Sequence, residues 1–292
     1  MERQLWKAIV AVLAALDKPR TPTSFTYSDE VIVRVWYWAV VHDRPMSWAC
    51  EARNWPPDLR RQPRPSYSRL TRRLRAATVR ALLAALERRV IAPTEPGVFW
   101  MIDGKPLTIG GCSKDRQAGY GRAAGGNGKG YKLHALIGSD GSIAAWRVAP
   151  MNKDERVMAE RMLKTAPVHG YVLADSNYDS NKLHGVCDAR GNLQLVTRRR
   201  YGPSHGTGHR EQTAGRLRCI DLLENPFPAF ADRLLADRSE IERRFGHLSN
   251  WGGGLNGLPA WVRTHRRVHR WVQAKLVLTA LKRSFLSTTC AA

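Results

Sequence analysis

The sequence is short of acid. It carries 25 Asp and Glu against 47 Lys and Arg, a formal net charge of +22 over 292 residues. The shortage is local as well as global. Between residues 59 and 86 there are eight arginines and no acidic residue, and none follows Glu242. Such an imbalance speaks about partners and not about fold. It fits a phosphate backbone, with binding that weakens steeply in salt. An anionic membrane is the other candidate for such a charge, but no apolar run reaches the roughly 18 residues of a membrane span, so nothing is expected to cross a bilayer; the expected partner is DNA and not a membrane. The apolar stretch at residues 9–16 follows an early Glu2 and no signal-peptide cleavage pattern comes after it. The five cysteines (Cys50, Cys112, Cys187, Cys219, Cys290) are scattered, odd in number and form no CxxC pair. That speaks against a zinc knuckle or a disulfide framework and for reduced thiols in a cytoplasmic protein.

A core is nonetheless affordable in size: 43% of residues are hydrophobic. Residues 1–95 read as an all-helical domain. Helices are expected at 2–16, at 28–42 with acids in the first turn, after a capping Ser47, and at 69–89 with a break near 76–78. From residue 98 the period changes to apolar runs of strand length between turn signals. Strands are expected at 98–102, 131–137, 143–148, 171–174 and 193–197, with a hairpin turn at Gly138-Ser139-Asp140-Gly141. Helices are expected at 154–164, 180–189 and 231–248. Residues 111–130, rich in glycine and charge, read as a mobile loop, and 198–230 as a basic insertion. A right-handed crossover lets the 171–174 strand lie beside the 98–102 strand. The expectation is an RNase H-like mixed sheet flanked by helices over residues 96–292, with a basic C-terminal helical region.

Two carboxylates end the paired strands. Asp103 follows Val98-Phe99-Trp100-Met101-Ile102, and Asp175 follows Tyr171-Val172-Leu173-Ala174. Glu242 lies in the later helical stretch, with Arg238 one turn before it and on the same face. Three carboxylates converging at the mouth of a sheet can hold two Mg²⁺ about 4 Å apart for in-line displacement at phosphorus. Glu240 is the rival third ligand. It stands about 200° around the helix from Glu242, so only one of the two can face the site. The expected buried face is Leu234, Leu235, Ile241, Phe245 and Leu248.

These motifs resemble those of the DDE transposases of bacterial insertion sequences. The matching residues are Ile102-Asp103-Gly104 with Pro106, Ala174-Asp175-Ser176-Asn177-Tyr178-Asp179, and Arg238-x3-Glu242 followed by Arg243-Arg244-Phe245-Gly246. Gly130-Tyr131-Lys132-Leu133-His134 and Asn152-Lys153-Asp154 add to it. The resemblance covers residues 65–285. It implies that Asp103, Asp175 and Glu242 are catalytic and bind two Mg²⁺, with Mn²⁺ as a substitute. It also implies DNA cleavage and strand transfer, and a dimer or higher oligomer on transposon ends and target DNA. The family's usual Lys seven residues after the glutamate and Tyr three before the arginine are replaced here by Ser249 and Leu235. An RNase H-like nuclease without strand transfer and an inactive DNA-binding relative are the alternatives.

For DNA contact the candidates are Arg238, Lys132, the run Arg198-Arg199-Arg200, and Arg69, Arg72 and Arg73 of the N-terminal domain. A further basic group, Arg263, Arg266, Arg267 and Arg270, lies near the C-terminus. His134 shares the strand face of Lys132, Tyr178 follows the second aspartate, and Trp251 beside three glycines is suited to stack on a splayed base. Asp154, Glu155 and Asp179 read as helix-start caps. The expected compartment is the cytoplasm, at the nucleoid when DNA-bound.

Overall fold

The computed structural model describes residues 1–17, 25–92, 97–200, 211–224, 228–250, 254–255 and 257–290, with no account of the side chains of 228, 237, 239, 250 and 285–290. The chain divides into two units. One comprises Met1–Ala92, Asn250–Leu255 and Arg270–Ala292; the other comprises Pro93–Ser249 and Asn256–His269.

The first unit is helical: α1 (Glu2–Ala15), α2 (Asp29–Val41), α3 (Met46–Ala49), α4 (Tyr67–Arg73) and α5 (Ala77–Ile91). Two of these helices start on a side-chain cap. Ser28 caps α2 by accepting from the Val31 amide, and Ser66 caps α4 by accepting from the Arg69 amide. Pro45, and not Ser47, occupies the N-cap of α3. In α1, Leu5, Ile9 and Leu13 recur at the spacing of one helix face and are buried. Trp6, Trp38 and Trp55 fill the middle of this unit, with ring centroids 4.5–5.6 Å apart. α10 (His265–Cys290) belongs to this unit from Arg270 onward. From the sequence alone that stretch is expected to belong with the sheet region. Its apolar residues Trp271, Val272, Leu276 and Val277 are buried, and Gln273 and Lys275 bond Glu87 and the Val40 carbonyl of the helical unit. Lys275 also pairs with Asp43 at 3.1 Å.

The second unit holds six strands: β1 (Phe99–Thr108), β2 (Gly119–Ala123), β3 (Gly126–Gly138), β4 (Ile143–Pro150), β5 (Gly170–Leu173) and β6 (Leu193–Val196). Its helices are α6 (Glu155–Leu163), α7 (Asn181–Asp188), α8 (Ala214–Glu224) and α9 (Pro228–Asn250). β3 pairs antiparallel with β1, β2 and β4; β5 pairs parallel with β1 and β6. The order β4-β3-β1-β5-β6 is that of an RNase H-like sheet, with β1 central and α6 in the crossover that brings β5 beside it. One face packs Trp100, Ile102 and Leu136 against Ala159, Met162 and Leu163 of α6 and Leu183 and Cys187 of α7.

Three expectations change. β1 runs on through Thr108 because Gly104–Thr108 stay paired with His134–Gly130 of β3, so Asp103 lies within the strand and not at its end. Residues 119–123 and 126–130 form the β2–β3 hairpin, where a mobile loop was expected. Three of the glycines there are packing requirements, Gly119, Gly121 and Gly130: a Cβ on Gly130 would stand 2.3 Å from the Leu107 carbonyl oxygen. The described part of the basic insertion contains α8.

Candidate active site

Asp103 and Asp175 come together through strand register. Met101 pairs with Leu173 in parallel, and continuing that ladder two residues brings the two aspartates level. Asp175 leaves the sheet as the cap of a short 3-10 turn, Ser176–Tyr178, its Oδ1 accepting from the Asn177 amide at 2.9 Å. Thr197, just past β6, donates its hydroxyl to the Asp175 carbonyl at 2.6 Å. Asp103 Oδ1 accepts from the Gly104 amide at 2.7 Å.

The electrostatics are those of crowded carboxylates. Burial pushes the Asp103 carboxyl up to about 6; the charges of Asp175 and Glu155 add to the rise, while the Gly104 amide and Arg238 oppose it. Arg238, on α9, is therefore within electrostatic reach of Asp103. Glu242 is one turn further along that helix and exposed. Glu240 is engaged on its own helix, with Arg243 at 2.5 Å and Arg244 at 2.9 Å. Leu234, Ile241, Phe245 and Leu248 form the buried face as expected, while Leu235 is half-buried. Ser249 donates its hydroxyl to the Phe245 carbonyl at 2.9 Å. Among the described residues no three His, Cys, Asp or Glu side chains gather closely enough to hold a metal ion. The structure thus unites the two aspartates and brings Arg238 near, without drawing Glu242 into a three-carboxylate group.

The other candidates divide. Lys132 is 9% exposed and paired with Glu155, so it is not presented to a phosphate. His134 is 1% exposed, and neither ring nitrogen has a hydrogen-bond partner. Burial, with the Lys132 charge adding to it, lowers its pKa to about 4. Tyr178 is 1% exposed; burial, followed by the charges of Glu155, Asp103 and Asp175, raises its pKa. Arg198 and Arg200 are exposed, whereas Arg199 pairs with Glu224 at 2.6 Å. Arg69 and Arg72 are exposed on α4. Arg73 is not available: it is 7% exposed, pairs with Asp29 and donates to the Tyr27 carbonyl at 3.2 Å. Trp251 lies outside the described residues. No helix among the described residues is long and apolar enough to cross a membrane.

Two residues read as caps have other work. Asp154 does cap α6, but Glu155 reaches Lys132. Ser180 caps α7, which releases Asp179 to hold Arg216 at 2.7 and 2.8 Å and to stand 3.6 Å from His184. Nothing in the sequence marks Arg216 as the partner. The signal for Glu155 was Gly104: a Cβ there would meet Lys132 Cδ at 2.7 Å and Glu155 Oε1 at 3.3 Å.

The family profile described as "Transposase DDE domain" matches residues 96–277. No curated protein sequence matches the chain. Among solved structures, the chain is similar to the cryo-EM structure of a piggyBac transposase synaptic complex with hairpin DNA. The identity is 12% and the TM-score 0.47, over 96% of this chain and 71% of that one.

Proposed function

Because this chain belongs to the transposase DDE domain family, we propose that it cuts DNA at the ends of an insertion sequence and joins those ends to a target. The adjacency of Asp103 and Asp175 carries the reading. The residues present fit a divalent cation at this pair: both are hard oxygen donors, and Asp103 is raised first by burial and then by the negative charges of Asp175 and Glu155, which a cation would offset. When bound, Mg²⁺ or Mn²⁺ supplies Lewis acidity to displacement at phosphorus. The chain's own residues do the rest. Asp103 and Asp175 hold the cation, with Thr197 fixing the backbone of Asp175. Arg238 orients a carboxylate or a phosphate from α9, and Glu242, on the same helix face, is the third carboxylate. The exposed cations Arg69, Arg72, Arg198 and Arg200 bind the DNA backbone, and synapsis of two DNA ends implies a dimer or higher oligomer.

The test is cleavage of labelled DNA carrying the element's ends, in Mg²⁺, Mn²⁺ or EDTA, with wild type against Asp175→Ala. Metal-dependent cuts absent from the variant are expected. Salt-sensitive binding without any cut would replace this reading with that of an inactive DNA-binding relative. A pre-nicked end with a free 3′-OH separates transposase from nuclease, since only the former yields a joined product.

A further inference from the structure

A buried polar group lies against the aspartate pair. Gly104 pairs with His134 and Pro106 with Lys132 across the β1–β3 ladder, so Gly104, Lys132 and His134 share one face. The first turn of α6 brings Glu155 to that face. The absent side chain of Gly104 leaves the room in which the Lys132–Glu155 pair lies. Tyr178 closes the group from the turn that Asp175 begins. Its buried hydroxyl lies beside Glu155, senses Asp103 and Asp175 as well, and closes no regular hydrogen bond. Both nitrogens of His134 are likewise buried without a partner.

Buried polar atoms are nearly always paired, and each exception calls for a reason. Here the Tyr178 hydroxyl lies beside the Glu155 carboxylate, and the unpartnered His134 ring shares the strand face of Lys132, the ion-pair partner of Glu155. Glu155 is not needed as a cap, because Asp154 accepts from the Arg156 amide at 2.8 Å. Its carboxylate is already paired with Lys132, and it does not form a three-carboxylate group with the aspartates among the described residues. What remains is action through water. Hard divalent cations keep several waters when only one or two carboxylates bind them, and each such water needs acceptors.

We infer that Glu155 is a positioning residue: with Tyr178 it orients the water shell of a cation held by Asp103 and Asp175, and Lys132 keeps it in place. This rests on the reading that the aspartate pair binds a divalent cation. It assigns Glu155 a role in cation binding that neither its helix-start position nor its ion pair requires.

The test needs no nucleic acid. Mn²⁺ binding to the full chain is followed by the electron paramagnetic resonance of the free ion, in wild type, Asp103→Asn, Glu155→Gln and Tyr178→Phe. Because Glu155→Gln leaves Lys132 buried without its counter-ion, the double variant Glu155→Gln/Lys132→Met is measured too. Binding should be lost in Asp103→Asn, weakened about tenfold in Glu155→Gln and in the double variant, and weakened less in Tyr178→Phe. Loss in Asp103→Asn with wild-type affinity in the double variant would overturn the inference and leave the aspartate site standing. No difference between wild type and Asp103→Asn would overturn both.

Discussion

Asp103, inside β1, and Asp175, just past the end of β5, lie two residues beyond the last pair of the parallel ladder, Met101 with Leu173. The ladders on either side hold Asp103 in β1, and beyond the end of β5 the Asn177 amide and the Thr197 hydroxyl hold Asp175. If the pair holds the cation, Asp103→Asn and Asp175→Asn each remove several kcal/mol of transition-state stabilisation, a loss on the order of 10³-fold in cleavage. DNA affinity should change little. Cleavage and gel-shift titrations on the same preparations check both halves.

The burial of Asp103, with the charges of Asp175 and Glu155 adding to it, predicts that the site is destabilising when metal is absent. The Asp103 pKa rises from 3.8 to about 6 on folding. The folded state therefore holds the proton more tightly, and stability falls as pH rises through that window. In EDTA, Asp103→Asn should match wild type near pH 4 and exceed it by about 2–3 kcal/mol at pH 7. Urea titrations at the two pH values measure this; equal gaps at both would contradict it.

His134 gives the opposite slope. Its pKa falls from 6.5 to about 4 on folding, so the folded state releases a proton and stability is lost as pH drops from about 6.5 towards 4. The full effect is about 3 kcal/mol. Replacing a buried ring with two unpartnered nitrogens by an apolar side chain is close to neutral at pH 7. His134→Leu should therefore flatten the acid limb of the stability profile, as thermal melts across this range would reveal.

Arginines of α4 should separate into two kinds. Arg69→Ala and Arg72→Ala remove exposed charge; each should lower DNA affinity and reduce the salt slope by about one, with the melting temperature unchanged. Arg73→Ala strips Asp29 of its buried partner and should cost about 3–5 kcal/mol of stability. Melting curves of the three variants, set beside binding isotherms at several salt concentrations, decide the matter.

Much of this was legible in the sequence because it rests on local patterning. Ser28 before Asp29 and Glu30, the break between α4 and α5, and the Asp140-Gly141 turn are short-range signals, and the elements appear near their expected bounds. The aspartate pairing was legible for a different reason: once β5 lies beside β1, register leaves little freedom. The β2–β3 hairpin was not, because glycine reads as loop wherever its reason is close approach of another backbone, as at Gly130. Arg73 and Lys132 were misjudged because charge suggests exposure, and their partners Asp29 and Glu155 are distant in sequence. The fate of α10 beyond Arg270 was hidden for the same reason: its apolar residues fit either unit until Glu87 and Val40 are seen to meet it.

The sheet order bears on the chain while it is being made. β1 finds β3 soon after both leave the ribosome, but Asp103 meets Asp175 only after the crossover through α6 has closed a loop of roughly 70 residues. Glu242 emerges later still. A truncated or half-synthesised chain therefore carries basic helices and a lone aspartate. On the reading proposed above, such a chain keeps its basic helices but lacks the paired carboxylates of the site. Topology delays the blade until the handle is finished.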